Sequence, residues 1–293
     1  MSQHLFPPAA APKQLGVPLK WHGGKSYLAP KIVALMPRHL HYVEPFAGGL
    51  AVLLARDPGD PRLWLSDTGS HRGVSEVVND LDGQLTNFWR VLQHEDLFAR
   101  FRRQVEAVPF SRQEWQDAHD HPHDGADPVA DAVAFFVKCR QSRSGLRNGF
   151  SPLTRNRTRR GMNGNASEWL SAVEGLPAIH DRLRRVVVEN VPAVDLIHRE
   201  DGPSTLFYCD PPYLHQTRTA RKAYGLFEMT ETQHQELLHV LRQVKGKVML
   251  SGYPSALYDQ TLAGWTRHAF DLPNQASGAK LKDRETEVLW CSF

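Results

Sequence analysis

Short runs of apolar residues alternate along most of the chain with longer segments whose large apolar residues recur at helical spacing. The short runs predict strands at residues 41–44, 75–78, 186–188, 206–209, 247–250 and 287–291. The longer segments predict helices at residues 50–56, 191–198, 231–244 and 253–262. Such alternation predicts an α/β fold with a mostly parallel sheet that is covered by helices on both faces.

The middle of the chain lacks this alternation. The segments LTNFWRVLQ and LFARFRRQVEAV show helical spacing of large apolar residues, and residues 128–140 predict a further helix. The pattern predicts three parts: a disordered Pro- and Ala-rich tail over residues 1–18, a catalytic domain made of residues 19–82 and 186–293, and a mostly helical inserted domain over residues 83–185.

Composition narrows the class of protein. The 293 residues are 41% hydrophobic and 23% charged, which is typical of a globular domain. No apolar run approaches the roughly 18 residues of a membrane span, and the N-terminus lacks the pattern of a secretory signal. Cys139, Cys209 and Cys291 have no CxxC spacing, which favours free thiols. The sequence therefore predicts a cytoplasmic protein without a membrane partner.

Positive charge is concentrated in one segment, although the formal net charge is only +3. Residues 132–167 contain no Asp or Glu, and they carry Lys138, Arg140, Arg143, Arg147, Arg155, Arg157, Arg159 and Arg160. Such a run is often only a solvated loop. Interleaving with Gly, Asn, Ser and Thr also suits a surface that contacts phosphates and base edges, so both interpretations stay open.

The hexapeptide YCDPPY at residues 208–213 ends a predicted strand. An exocyclic amino group on a nucleobase is a poor nucleophile, because its lone pair is delocalised into the ring. The Asp210 carboxylate and the Pro211 carbonyl can accept its two N–H bonds, while Pro211 and Pro212 fix the backbone. The Tyr213 ring offers a surface on which an extruded base can stack. The alternative is an ordinary Pro-rich turn.

Two further motifs also follow predicted strands. In VEPFAGG (residues 43–49), Gly48 and Gly49 allow the backbone to approach a ligand closely, although a plain tight turn would look the same. Asp80 ends the next strand, where a carboxylate can accept both hydroxyls of a ribose. The alternative role for Asp80 is the N-cap of a helix that begins near Gly83.

The segment KWHGGK (residues 20–25) precedes a helical segment. Lys25 can pair with a ligand carboxylate, and Trp21 can pack on a cofactor. A P-loop would need a glycine at the position of Leu19, so the segment does not indicate a nucleoside triphosphatase.

In this order, KWHGGK, VEPFAGG, Asn79-Asp80 and DPPY resemble the Dam-like adenine methyltransferases in their alpha arrangement, and the resemblance covers most of residues 19–293. It implies an enzyme that transfers a methyl group from S-adenosylmethionine (SAM) to N6 of an adenine flipped out of double-stranded DNA at a specific site. It also implies a Rossmann-like, seven-stranded mixed sheet with an inserted target-recognition domain.

The resemblance and the motifs give three groups of candidate residues. The cofactor residues are Trp21, His22, Lys25, Glu44, Pro45, Phe46, Gly48, Asp80, Leu81 and Asp210. The catalytic residues are Asp210, Pro211, Pro212 and Tyr213. The DNA-binding residues are Lys20 beside the target, Arg143 and Arg147 for base contact or gap filling, and Arg155, Arg157, Arg159 and Arg160 for phosphates.

The chain departs from the family pattern in three places, one of which is the segment of residues 57–73, longer than is typical. A glycine is usual where this chain has Leu50, so a different shape of the cofactor loop is expected. The best-known members have Tyr-Asn-Gly where this chain has Arg143-Ser144-Gly145, so their GATC specificity is not implied.

Alternatives remain at this point. Cytosine C5 methylation is excluded because no cysteine follows a proline. Cytosine N4 methylation and a catalytically silent DNA-binding regulator stay open, as do a homodimer and a cognate restriction nuclease as partners. The histidines and aspartates of residues 117–127 predict a solvated linker, and no metal site is predicted.

Overall fold

The computed structural model describes residues 15–65, 73–151, 157–217, 225–273 and 284–293. The tail predicted over residues 1–18 therefore lies almost wholly outside the described residues. The N-terminal part consists of helix α1 (Ala29–Ala34), strand β1 (His41–Glu44), helix α2 (Ala51–Ala55) and strand β2 (Ser75–Asn79).

The middle of the chain is mostly helical. It contains α3 (Gly83–Gln93), α4 (Glu95–Ala107), α5 (Arg112–Asp120), α6 (Pro128–Gln141), the short strands β3 (Thr158–Arg159) and β4 (Met162–Asn163), and α7 (Gly164–Leu183). The Asp127 side chain caps α6 and Pro128 occupies its first turn, where a missing N–H is tolerated. Ser111 caps α5, and this helix extends into the linker predicted at residues 117–127 as far as Asp120.

The C-terminal part alternates between strands and helices. Its elements are β5 (Val186–Glu189), α8 (Ala193–Glu200), β6 (Thr205–Cys209), α9 (Glu231–Leu241), β7 (Lys247–Gly252), α10 (Ala256–Thr261), β8 (Thr266–Pro273) and β9 (Arg284–Cys291). Helix α10 begins later than the pattern predicts because the Ser255 side chain caps it. The sequence pattern missed strand β8, whose mixed polar residues suit its place at a sheet edge.

In the described residues, seven strands form one sheet in the order β5-β2-β1-β6-β7-β9-β8. The first five are parallel, and β9 runs antiparallel to both β7 and β8. The expected seven-stranded mixed sheet is therefore confirmed. In the sheet, β2 and β5 lie on one side of β1, and β6 and β7 lie on its other side. The crevice at the carboxyl ends of β1 and β6 is thus the place where such a sheet binds ligands.

Successive residues of β1 point to opposite faces of the sheet and belong to different cores. Tyr42 packs with the helices of the middle segment in one cluster, whereas Val43 packs with residues of α8 and α9 in another. Aromatic rings extend the first core, since the rings of Phe88 and Phe136 are stacked with centroids 5.8 Å apart. The middle helices and one sheet face thus share one core, and the predicted domain border after residue 82 stays a prediction.

None of the helices in the described ranges is long and apolar enough to span a bilayer.

Candidate active site

A cavity of about 300 Å³ lies at the carboxyl ends of β1, β2 and β6. All ten residues predicted for the cofactor line it: Trp21, His22, Lys25, Glu44, Pro45, Phe46, Gly48, Asp80, Leu81 and Asp210. Pro212 of the DPPY motif also lines the cavity. The fold therefore brings together motifs from both ends of the chain: VEPFAGG, Asp80 and DPPY follow neighbouring parallel strands, and KWHGGK packs against the turn after β1.

The turn after β1 requires glycine where it meets the KWHGGK segment. Gly48 has a φ of +46°, and a Cβ there would lie 2.7 Å from Nε1 of Trp21. Leu50, at the position where the family has glycine, has a φ of 57° and is fully buried. This left-handed conformation costs a residue with a side chain about 1–2 kcal/mol. The turn thus adopts a conformation that glycine prefers, even though the residue is leucine.

The Asp80 carboxylate connects the two loops that follow β1 and β2. Its Oδ2 accepts a hydrogen bond from the Gly48 N–H at 3.0 Å, and its Oδ1 accepts one from the Asp82 N–H at 3.0 Å. Burial raises the pKa of Asp80 to about 6. The alternative role of Asp80 as a helix N-cap is wrong, because the Asp82 side chain caps α3 by accepting from the Gln84 and Leu85 N–H groups.

Glu44 ends β1 and lines the cavity with its side chain almost fully buried. Its Oε2 has no hydrogen-bond partner among the described residues. Burial raises the pKa of Glu44 well above its usual value, and Arg56 only partly opposes this effect. An unsatisfied carboxylate oxygen at a cavity wall is costly unless a donor or a cation reaches it from the cavity.

Lys25 and Asp210 form the centre of a buried polar network. The Lys25 ammonium lies 3.0 Å from Oδ1 of Asp210, 3.0 Å from Oε1 of Glu287 and 2.7 Å from the Gly23 carbonyl oxygen. The sequence predicts a ligand carboxylate as the partner of Lys25, but its ion pairs in the structure are with two carboxylates of the protein. Burial raises the pKa of Asp210 although Lys25 lowers it.

The Tyr213 hydroxyl belongs to the same network. It lies within hydrogen-bond distance of Oδ1 of Asp210, at 3.1 Å, and of Oε1 of Glu287. The Tyr213 ring packs edge-on against that of Tyr253, with centroids 4.8 Å apart. Glu287 was predicted only as part of a strand and not as a site residue; the one available signal was its charge within the apolar run at residues 287–291.

The predicted DNA-binding residues fall into different environments. Arg143, Arg157 and Arg159 are exposed, whereas Lys20 pairs with Glu168 at 3.1 Å and Arg160 pairs with Glu174 at 3.0 Å. Arg155 lies outside the described residues.

Arg147 lines the cavity instead of facing away from it. Its guanidinium lies 5.3 Å from the centroid of the Trp21 ring and 3.4 Å from Oδ2 of Asp82. The nearby Gly145 has a φ of +71°, and a Cβ there would lie 2.3 Å from the Lys20 carbonyl oxygen. The basic segment therefore touches the KWHGGK segment at the rim of the cavity.

Among the described residues, His121, His123 and Asp131 form a group whose potential metal-ligand atoms lie within 4.8 Å of one another. Protein side chains contact Nε2 of both histidines, whereas Nδ1 of His123 has no hydrogen-bond partner among the described residues. Nε2 of His121 lies 2.6 Å from Asp131, and the Lys138 ammonium lies 2.8 Å from Nε2 of His123. Burial and Lys138 lower the pKa of His123 to about 4, so its neutral ring accepts from Lys138.

The sheet order, the cavity at the point where that order reverses, and a carboxylate followed by two prolines together define a Rossmann-like methyltransferase. The family model of the D12 class N6 adenine-specific DNA methyltransferases matches residues 21–271. The chain belongs to this family, and it is therefore an enzyme that methylates N6 of adenine in DNA. This confirms the predicted Dam-like family and activity, and it favours adenine over the cytosine-N4 and silent-regulator alternatives. Among curated proteins, none matches the chain.

Proposed function

We propose that the chain transfers the methyl group of SAM to N6 of an adenine flipped out of double-stranded DNA. The observation that carries this proposal is the shared cavity: Asp80, which suits a ribose, and Asp210, which suits an amino group, line the same space. A methyl donor bound in that cavity and an adenine entering it would thus meet beside the DPPY motif.

The residues fit SAM in their chemistry. Each oxygen of the Asp80 carboxylate accepts one backbone hydrogen bond and retains capacity for a ribose hydroxyl. The free Oε2 of Glu44 suits the cationic amino group of the cofactor. Phe46, Leu81 and Val194 supply apolar walls for an adenine ring. When bound, SAM supplies a methyl group on a sulfonium, which is a strong electrophile.

The protein's part in the reaction is to orient the amino group. Asp210 accepts one N–H of the adenine, and the Pro211 carbonyl accepts the other, so that the nitrogen lone pair points along the line of attack. Lys25 and the Tyr213 hydroxyl favour the ionised form of Asp210, against the effect of its burial. Pro211 and Pro212 restrict the backbone and keep these acceptors in place before the base arrives.

Replacing Asp80 is expected to weaken cofactor binding. Asp80→Ala should raise the calorimetric Kd for SAM by roughly tenfold to hundredfold, the scale of one or two hydrogen bonds to a charged group. The matched control is Asp82→Ala, which removes the cap of α3 and should change the Kd by less than about threefold. An unchanged Kd in folded Asp80→Ala would show that the ribose binds elsewhere.

We also propose that residues 83–185 form the target-recognition domain, and that residues 19–82 and 186–293 form the catalytic domain. Strands β2 and β5 are neighbours in the sheet although this whole segment separates them in sequence. Arg147 lines the cavity and Arg143 is exposed four residues before it, so both suit base contact or gap filling. Arg157 and Arg159, also exposed, suit phosphates. The DNA substrate and three buried free thiols also support a cytoplasmic location in a bacterium or an infected host cell.

The two kinds of arginine should behave differently in salt. Arg157→Ala and Arg159→Ala should each lower the slope of log binding constant against log salt by about one, on any duplex. Arg143→Ala should weaken binding by roughly 1–3 kcal/mol on the cognate duplex only. Arg267→Ala, on edge strand β8, is the control and should change neither quantity. Unchanged slopes and affinities in all the variants would mean that the basic segment is only a solvated loop.

A further inference from the structure

Glu287 lies on the last strand of the chain, yet its side chain reaches the DPPY motif. Strand β9 runs antiparallel to β7, and the side chain of Glu287 is 4% exposed. Its Oε1 contacts the Lys25 ammonium at 3.0 Å and also the Tyr213 hydroxyl. Its Oε2 accepts a hydrogen bond from the Tyr27 hydroxyl at 2.7 Å. One carboxylate therefore connects the N-terminal segment, the DPPY motif and the C-terminal strand.

These contacts stabilise the charge of a buried carboxylate. Burial opposes the ionisation of Glu287, but Lys25 and the hydroxyls of Tyr213 and Tyr27 outweigh it and hold the pKa of Glu287 below its usual value. A buried carboxylate is tolerated only with such complete pairing. An apolar residue would pack equally well at this position of β9. Packing therefore does not explain why the residue is a charged glutamate.

The distribution of hydrogen bonds on Asp210 gives that explanation. Lys25 and Tyr213 both contact Oδ1 of Asp210, at 3.0 Å and 3.1 Å. No hydrogen bond joins Oδ2 of Asp210 to any residue within the described ranges. Glu287 holds the Lys25 ammonium and the Tyr213 hydroxyl on the Oδ1 side of Asp210. Oδ1 therefore already accepts two donors, and Oδ2 is left for the amino group of the adenine.

We propose that Glu287 is a positioning residue of methyl transfer, which holds Lys25 and Tyr213 against Oδ1 of Asp210 so that Oδ2 is presented to the substrate amino group. This inference rests on the proposed function of the cavity. Glu287 contacts neither the adenine nor the cofactor in this account. It acts only through Lys25 and Tyr213.

The test compares Glu287→Gln with the wild-type enzyme in single-turnover methyl transfer to duplex DNA. Glutamine keeps the size and one acceptor but removes the charge that holds Lys25. The rate should fall by roughly tenfold to hundredfold, while the Kd for SAM stays within about threefold. Thr286→Ala, the exposed neighbour on the same strand, is the matched control and should keep the wild-type rate.

The pH dependence provides a readout that a purely structural role would not move. The charged and titratable groups that interact with Asp210 include Lys25, Glu287, Tyr213, Tyr208, Glu44, Cys209 and Tyr258. The rate falls as pH drops through the pKa of Asp210, because only the carboxylate accepts two donors. The Glu287 charge raises the pKa of Asp210, so Glu287→Gln should move this fall to lower pH.

A second variant keeps the proposal testable if Glu287→Gln unfolds. Tyr213→Phe removes the hydroxyl that Glu287 holds and leaves every charge in place. It should slow methyl transfer by about tenfold. Where both variants fold, the double variant should lose less rate than the product of the two single fold-losses, because both act through the same contact.

Folded Glu287→Gln with the wild-type rate and an unmoved acid limb would overturn the role of Glu287 alone, provided that Asp210→Ala is inactive. A rise in the Kd for SAM as large as the loss of rate would also overturn it, in favour of cofactor binding. A Tyr213→Phe variant at the wild-type rate would overturn it even without Glu287→Gln. If folded Asp210→Ala stays active, the proposed function and this inference both fail.

Discussion

Asp210→Ala is expected to remove nearly all methyl transfer while the fold survives. The substitution deletes one of the two acceptors that orient the amino group, and loss of such a preorganised group usually slows a reaction by about a hundredfold or more. The fold should survive because Lys25 keeps its ion pair with Glu287, so the buried ammonium is not left without a countercharge. The measurement is transfer of labelled methyl groups from SAM to duplex DNA, with the melting temperature recorded alongside.

Two further variants serve as comparisons for Asp210→Ala. Asp181→Ala removes an exposed carboxylate of α7 and should keep the wild-type rate. Asp210→Asn retains a carbonyl acceptor without the charge, so its rate should lie between those of wild type and Asp210→Ala. Near-normal turnover by folded Asp210→Ala would mean that the amino group is activated elsewhere.

Glu76→Ala should destabilise the protein by about 3–5 kcal/mol, the usual result of breaking a fully buried ion pair. Glu76 lies on β2 and contacts the guanidinium groups of Arg56 and Arg182, each at 2.6 Å. Arg182 belongs to α7, so this carboxylate connects the sheet with the last helix of the middle segment. Its removal leaves two buried cations beside each other without the carboxylate that contacts both of them.

Urea unfolding measures this loss of stability, because the midpoint and the slope of the transition together give the free energy of unfolding. The control is Glu106→Ala, which breaks the exposed pair with Arg102 on α4 and should change stability by less than about 0.5 kcal/mol. A loss below about 1 kcal/mol in Glu76→Ala would mean that water reaches the two arginines and replaces the carboxylate.

The sequence was most informative where a motif of functional residues directly follows a buried strand. Strand β1 has the predicted bounds, and the motifs after β1, β2 and β6 meet at one cavity. Parallel strands bring their carboxyl ends to one edge, so the order of motifs along the chain was enough to place Asp80 and Asp210 together.

Contacts between distant segments could not be predicted. The pairing of Lys25 with Glu287 depends on the antiparallel placement of β9 beside β7, which no local pattern encodes. The position of Arg147 at the cavity accompanies the tight approach of Gly145 to Lys20, whereas the sequence predicted Arg147 only as a DNA-contacting residue and not as part of the cavity wall. The cap of α3 was assigned to Asp80 as one alternative, because Asp80 and Asp82 look equivalent until the backbone is known.

The most direct test of the account is single-molecule sequencing of DNA from a methylation-free host that expresses this chain. We expect N6-methyladenine at one short sequence motif with the wild-type chain, and none with Asp210→Ala. Methylation of cytosine N4, or unmodified DNA in cells that contain the folded wild-type protein, would contradict it.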